Sequence, residues 1–434
     1  MTERSVLLIT SNGFGMGHLV RQLAIAAKLP GRVHIMTLSQ AAPVAVAAGA
    51  QLEYCPSYTS PWIGKRAWHR GYLRDRIVAL AEEVNADVIA FDGVVPYVGL
   101  LEALSSLDVA RVWIRRGVWR ADTDASPLAY SGLFDLVIEP GDLGASRDTG
   151  PTSVRHDARR VGVITQAGPH ALVPRAEAAA KLGIDPTKLT VLFNVGSNAI
   201  PGLEQVIATI AARAHVNVVM TKDALERNRS QTNITTVSGV FPLYPYLAAV
   251  DLAVTSVGYN AAHEFTASGV PTILVPANNV TDDQRARAHA MQDAGIGVVV
   301  EAEDSAGLQE AVERLLDDEN ERAAMALAAR QCTATWTDGS TEAAALIATV
   351  GRGPRAEGTA QLRLLARRAA ERLLGLVPRP TRRVQAVLVT DDVVGRNLAG
   401  DVAIEHVHPG LRDAYAARRT AIAKAWYDAP VKRA

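Results

Sequence analysis

Cysteine is nearly absent: Cys55 and Cys332 are the only two in 434 residues. So wide a separation supports neither a disulfide framework nor a metal cluster, and a reducing cytoplasm is the economical setting. Net charge is absent as well, since 45 Lys and Arg stand against 45 Asp and Glu. The global electrostatic signature of a nucleic-acid or polyanion binder is therefore missing. Long apolar runs are lacking too. The stretch Val6 to Thr10 is too short and too early for a secretion signal or a spanning helix. Lysine is sparse and alanine abundant, which reflects genome composition more than function. No tandem repeat is found beyond two similar halves.

Two motifs are also missing. Gly13, Gly15 and Gly17 follow the first apolar run, but their spacing is G-x-G-x-G-H rather than G-x-G-x-x-G. Thr37, Leu38 and Ser39 stand where an acidic ribose ligand would be expected, which argues against a hydride-transfer cofactor. No D-x-D pair stands at a strand end of the first half; Asp122-Thr123-Asp124 has that spelling but follows Trp119-Arg120 in a loop. No metal site is assigned.

What is present is alternation. Apolar strand-like runs at Val6–Thr10, Val33–Leu38, Asp87–Phe91, Ala110–Ile114 and Leu136–Glu139 are separated by helical spacing such as Leu19, Leu23, Ala26 and Ala27. After a linker the pattern restarts at Thr190–Val195, Val216–Met220, Ile234–Ser238, Leu252–Val254, Thr272–Val275 and Gly297–Val300. Such alternation predicts α/β architecture: two doubly wound Rossmann-like domains, residues 1–168 and 169–350, facing a cleft. Residues 351–434 are expected to be a basic helical extension of unknown role. Arginines are dense from Arg352 to Arg383, where Leu362, Leu365, Ala366, Ala369, Leu373 and Leu376 recur at helical spacing. That helix either packs back across the domains or lies on anionic lipid.

Chemistry concentrates in two loops. Thr255 to Glu264 follows a buried strand and opens a helix at Gly258, where backbone N–H groups and the positive dipole end suit a phosphate. Glu264 is placed to accept hydrogen bonds from two ribose hydroxyls. The alternative is an ordinary strand–turn–helix with a surface glutamate. In the first half, His18 stands where the glycine loop becomes a helix. A neutral imidazole there suits removal of a hydroxyl proton, with Asp92 at a strand end as the orienting carboxylate. The structural alternatives are a capping or core histidine and a turn-capping aspartate.

With these residues in place, the chain resembles the GT-B glycosyltransferases over about residues 5 to 350. The resemblance is to the UDP-sugar-dependent members that include the peptidoglycan GlcNAc transferase and the plant and antibiotic UDP-glycosyltransferases. Gly258-Tyr259-Asn260 with Glu264 resembles G-W-N-S-x-x-E, Asp283-Gln284 the later D-Q pair, and Gly15-Met16-Gly17-His18 the G-G-H or G-H element. The resemblance implies that Glu264 binds ribose, Asn260 the phosphates, Asp283 and Gln284 the donor sugar, and the backbone at Phe241-Pro242 the base. Ser256 replaces a phosphate-binding histidine and Ala261 a serine, while Gly162-Val163-Ile164-Thr165-Gln166 offers no arginine. Charge on the leaving diphosphate then falls to helix N-termini, including the loop Gly196-Ser197-Asn198.

The expected function is inverting, metal-independent transfer of a sugar from a nucleotide-sugar, a UDP-sugar by the resemblance, to an acceptor hydroxyl, with no cofactor besides that donor. A nucleotide-sugar hydrolase or 2-epimerase, or a non-catalytic nucleotide-sugar-binding protein, are the alternatives. The acceptor is a small molecule, a glycan or a lipid-linked species lying against the first domain, with Trp62, Trp68, Trp113, Trp119 and Arg115-Arg116-Gly117 as candidate contacts. No nucleic-acid partner is expected. The expected location is cytoplasmic, with peripheral contact at the inner membrane face through the basic helix.

Overall fold

A computed structural model of the chain describes residues 4–11, 16–39, 41–47, 49–58, 65–167, 170–196, 200–221, 234–237 and 240–353. The first sheet takes β1 (Ser5–Thr10), β2 (Arg32–Thr37), β3 (Glu53–Tyr54), β4 (Val88–Asp92), β5 (Ala110–Ile114), β6 (Leu136–Pro140) and β7 (Arg159–Val161). Their order is β3-β2-β1-β4-β5-β6-β7. The second takes β8 (Leu189–Asn194), β9 (Val216–Thr221), β10 (Ile234–Val237), β11 (Leu252–Thr255), β12 (Thr272–Leu274) and β13 (Gly297–Val299) in the order β10-β9-β8-β11-β12-β13. Every strand pairing is parallel. The fold is thus the two-domain α/β architecture that the alternation predicts.

The central strands β1 and β4 are buried at every position, as expected of a parallel sheet covered by helices on both faces. Two edge strands escape the sequence pattern for opposite reasons. β3 has only two residues, and β7 exposes two of its three, so neither carries an apolar run.

Both sheets reverse strand order beside their first strand, and ligands of doubly wound sheets sit at such switch points. In the first sheet the switch lies between β1 and β4, where Thr10 is paired with Asp92. In the second it lies between β8 and β11, where Asn194 is paired with Thr255. The end of β1, where Ser11 N donates to Asp92 O at 2.8 Å, and Asp92 therefore meet at one switch point; Gly196 and the Ser256–Gly258 turn lie at the other.

The last described helix, Gly339–Thr349, leaves the second domain and returns to the first. Its Ala343, Ala344 and Ile347 are buried in the first domain's core, and full burial of Ile347 alone is worth roughly 2–3 kcal/mol. Hydrogen bonds fix its start: Gly339 N donates to Val163 O at 3.2 Å, and Gly162 N to Glu342 at 2.8 Å. Arg4 donates to Ala348 O near its end at 2.8 Å. Apart from Arg352 and Gly353, the basic stretch Arg352–Arg383 lies outside the described residues, as does the rest of the extension. No described helix is long and apolar enough to cross a membrane.

A side chain at Gly162 has no room, because its Cβ would overlap the Thr337 backbone and hydroxyl. Gly162→Ala should cost about 1–3 kcal/mol by prying this seat apart. Urea unfolding checks it, and an unchanged midpoint would show that the helix tolerates displacement.

Candidate active site between the two sheets

His18 is the second residue of the helix Gly17–Ala26, which starts from Met16 without a side-chain cap. Its Nδ1 lies 2.6 Å from Oδ1 of Asp92, the last residue of β4, and Asp92 is fully buried. Arg21, one turn further along the helix, donates from Nε to Asp92 Oδ2 at 2.8 Å and from its terminal nitrogen to Oδ1 at 2.5 Å. Burial and the two cations Arg21 and Arg116 lower the His18 pKa against the pull of Asp92, so the ring is neutral near pH 7. Burial would raise the Asp92 carboxyl, but Arg21 and the His18 hydrogen bond hold it below the ordinary carboxylate range. With Nδ1–H donating to Asp92, the lone pair sits on Nε2, which has no hydrogen-bond partner among the described residues.

The second domain faces this pair with the helix Tyr259–Ser268, whose cap is Gly258, again without a side-chain bond. Later helices differ: those beginning at Gln284, Ser305, Glu319 and Gly339 are each capped by an aspartate side chain. A Cβ on Gly258 would meet nothing within 4 Å. Asn260 reaches across and donates from Nδ2 to Gly17 O at 3.0 Å, so the two uncapped N-termini meet. Asn260 Oδ1 and Glu264 Oε1 are buried with no partner among the described residues. Burial pushes the Glu264 carboxyl up to about 7 against one backbone N–H, that of Gln166. A pair of orphaned acceptors beside two open helix ends fits a ligand that brings hydroxyls and phosphates.

Other expected site residues are placed differently. Tyr259 spans the domain boundary: its hydroxyl donates to Gly141 O at 2.8 Å and accepts from Ile164 N at 3.2 Å, tying the domains together. Asp283 caps its own helix through Ala286 N at 2.9 Å, and Gln284 accepts from Ala277 N at 2.9 Å while its amide nitrogen makes no bond among the described residues. Ser256 is half-buried at the β11 end, its N–H donating to Asn194 O at 3.3 Å. Phe241 is half-buried and packs against the first domain's core. Gly17 is exposed at its helix start, and Gly196 takes φ 59° with open space about it. Gly15, Ser197, Asn198 and Trp62 lie outside the described residues.

The suggested acceptor contacts need correction. Trp68, Trp113 and Trp119 are buried, with indole N–H groups spent on Pro56 O, Gly93 O and Arg116 O. Arg115 is buried against Ser131, Glu139 and Asp157, and Arg116 pairs with Asp282 at 3.2 Å. The three indole N–H groups are thus spent, whereas Arg116 Nε has no partner among the described residues. Asp122 is likewise engaged by Arg120, and Asp124 by Ser126.

Sequence reasoning missed the arginines. Arg21 stands three residues after His18, on the same helix face, so its spacing was a usable signal. Arg287 follows the Asp283-Gln284 pair by one turn. Fully buried, it donates to Asp142 at 2.8 and 2.7 Å, to Asp282 at 2.8 Å and to Val257 O at 2.7 Å. Asp142, 145 positions away in sequence, gave no local hint. His263, buried on the same helix as Glu264, donates from Nδ1 to Tyr259 O at 2.6 Å and accepts at Nε2 from Leu143 N at 3.0 Å. Burial lowers it to about 4, so it serves as a neutral bridge between domains.

Comparison with known proteins bears on the fold and on the second domain. Residues 190–347 match the family described as glycosyltransferase family 28 C-terminal domain, so the second half carries a glycosyltransferase domain. Similar curated proteins include the UDP-N-acetylglucosamine–N-acetylmuramyl-(pentapeptide) pyrophosphoryl-undecaprenol N-acetylglucosamine transferase of Salinibacter ruber. It is 33% identical over 169 residues, 36% of this chain and 45% of that protein. The enzyme of the same name from Listeria welshimeri is 30% identical over 165 residues, 34% of this chain and 45% of that protein. The chain thus spans less than half the length of these relatives. Among solved structures, the glycosyltransferase SnogD from Streptomyces nogalater superposes with TM-score 0.54 at 17% identity, covering 81% of this chain and all of that one. Spinosyn rhamnosyltransferase SpnG complexed with thymidine diphosphate superposes with TM-score 0.50 at 19% identity, covering 79% of this chain and 99% of that one. At these identities the likeness establishes the fold, which is the GT-B arrangement of two Rossmann-like domains.

The Glu264 carboxyl yields a pH test. Its folded pKa of about 7 lies above the ordinary 4.5, so its contribution to stability is complete below pH 4.5 and is lost as pH rises through 7. Relative to Glu264→Gln, the ligand-free wild type should lose about 2 kcal/mol between pH 5 and pH 8.5, after allowance for solvent at the cleft. Urea midpoints measure this, and parallel pH curves for the two proteins would mean that the carboxyl is not held in a dry site.

Proposed function

We propose that the chain is a glycosyltransferase that moves a sugar from a nucleotide-sugar to an acceptor hydroxyl, with inversion and without a metal. The observation that carries this reading is the meeting of two uncapped helix N-termini between a neutral, carboxylate-oriented histidine on one domain and, on the other, a buried carboxyl whose Oε1 has no protein partner. A UDP-sugar is the favoured donor, because the relatives matched by the second half are named for UDP-N-acetylglucosamine.

In the proposed reaction His18 Nε2 takes the proton of the acceptor hydroxyl as that oxygen bonds to the anomeric carbon. Nδ1–H donates to Asp92 throughout, which fixes the ring and stabilises the transient imidazolium. The bond from the anomeric carbon to the diphosphate oxygen breaks, and the electron pair leaves with the diphosphate. Backbone N–H groups at Gly258 to Asn260, the Asn260 amide and the helix at Gly17 take up that charge. Glu264 receives the ribose hydroxyls through the acceptor atom that has no protein partner. Attack and departure on opposite faces invert the anomeric centre. In this reading the Gln284 amide and the Asp283 oxygen not used in capping meet the sugar hydroxyls.

His18→Ala should lower turnover by about 10²–10⁴-fold while leaving nucleotide affinity within twofold. The measurement pairs UDP release from a panel of UDP-sugars, with and without cell-extract acceptors, with calorimetric binding of UDP. Full-rate release without any acceptor would indicate a hydrolase instead. Undiminished turnover in His18→Ala would remove the base.

A further inference from the structure

The arginine beside the catalytic pair has a place in the proton chemistry that neither the motif nor the mechanism uses. A buried histidine–carboxylate pair left to itself favours the imidazolium, because the carboxylate needs a counter-charge that water does not supply. A histidine already protonated cannot accept the acceptor's proton. Here the counter-charge comes from elsewhere. Arg21 is 2% exposed and spans both oxygens of Asp92, with Nε at 2.8 Å from one and the terminal nitrogen at 2.5 Å from the other. The same terminal nitrogen lies 3.0 Å from His18 Nδ1. Since Nδ1 carries the hydrogen donated to Asp92, that approach sets a cation against an N–H and penalises a second positive charge on the ring.

We infer that Arg21 is a positioning residue that supplies the charge partner of Asp92 and so keeps His18 in the unprotonated form required of the base. The inference rests on the reading of His18 as that base. The surrounding charges agree with it. His18 faces Asp92 from β4, Arg21 from its own helix and Arg116 from the segment after β5. Arg21 faces Asp92 and, more remotely, Asp282, and its guanidinium lies over the Tyr259 ring at 5.1 Å from the centroid. Tyr259 belongs to the helix of the other domain and is itself pinned at Gly141 and Ile164, so the guanidinium is held from both sides of the cleft.

The test uses the full chain with Arg21→Met, Arg21→Gln and Arg21→Lys. Titration of the His18 ring by NMR should show its midpoint rising by about one to three pH units in the Met and Gln variants. The Lys variant, which keeps the charge, should restore most of the wild-type midpoint. The acidic limb of kcat/KM should move upward by the same amount, with activity recovering at alkaline pH. Loss of activity by an equal factor at every pH, with an unmoved His18 midpoint, would assign Arg21 to packing alone and overturn the inference. If Arg21→Met fails to fold, Arg21→Gln carries the same comparison, since it retains a polar hydrogen-bond donor while removing the charge. The NMR midpoint is independent of turnover, so failure of His18→Ala to lose activity would refute the base while leaving this measurement interpretable.

Discussion

The buried guanidinium of Arg287 is the contact through which the two domains acquire a fixed relation. It meets Asp142 of the first domain in a two-bond fork, Asp282 of its own domain, and through Asp282 the first domain's Arg116. Each domain therefore contributes one cation and one anion to a four-member, neutral cluster. Burying such charges gains little net stability, but removing one partner strands the others at a cost of about 3–5 kcal/mol. The cluster acts as a register: only one docking of the domains satisfies all four groups. Tyr259, His263 and Asn260 add hydrogen bonds across the same boundary.

That register reaches the site through the main chain. Arg287 holds Val257 O, the carbonyl just before Gly258, so the start of the helix Tyr259–Ser268 is set by a side chain that also grips the other domain. Val118 shows the same coupling under strain. Its φ of 53° is unfavourable for a β-branched residue, costing on the order of 1–3 kcal/mol, yet it lets one peptide neighbourhood serve both domains. The Val118 N–H binds Asp148 of the first domain, while its carbonyl takes the N–H of Asp283 in the second. The Asp283-Gln284 turn is thus positioned by a segment of the opposite domain.

Much of this was written in local pattern and some was not. The alternation of apolar runs gave both sheets because parallel strands buried on two faces are nearly continuous in Val, Ile and Leu. It missed β3 and β7, whose short and exposed positions leave no periodicity. His18 and Asp92 were legible because a glycine loop and a strand end locate them at one switch point, and the structure brings them to 2.6 Å. The Tyr259 side chain was misleading: its place in the motif suggested a ligand contact, but an aromatic ring with a hydroxyl is also the natural bridge between two packed surfaces. Trp68, Trp113 and Trp119 misled likewise, since large rings near a site are more often its walls. Arg287 and Asp142 were invisible because a pair so distant in sequence leaves no spacing to read.

The proposed site has an unusual charge balance. A helix N-terminus offers the equivalent of about half a positive charge, so two of them supply about one against a diphosphate that leaves with more. The nearby arginines are already committed, Arg21 to Asp92, Arg116 to Asp282 and Arg287 to Asp142 and Asp282. Ser256 and Ala261 add little where a histidine and a serine would have helped. What remains is dryness: in the proposed reaction the same burial that raises Glu264 to about 7 also strengthens each N–H that meets the diphosphate. Stabilisation of the leaving group then depends on the cleft being closed, and closure depends on the four-charge register. In the proposed reaction, leaving-group stabilisation and domain docking are therefore one property, because the arginines that hold the domains together spend most of their donors on Asp92, Asp142 and Asp282.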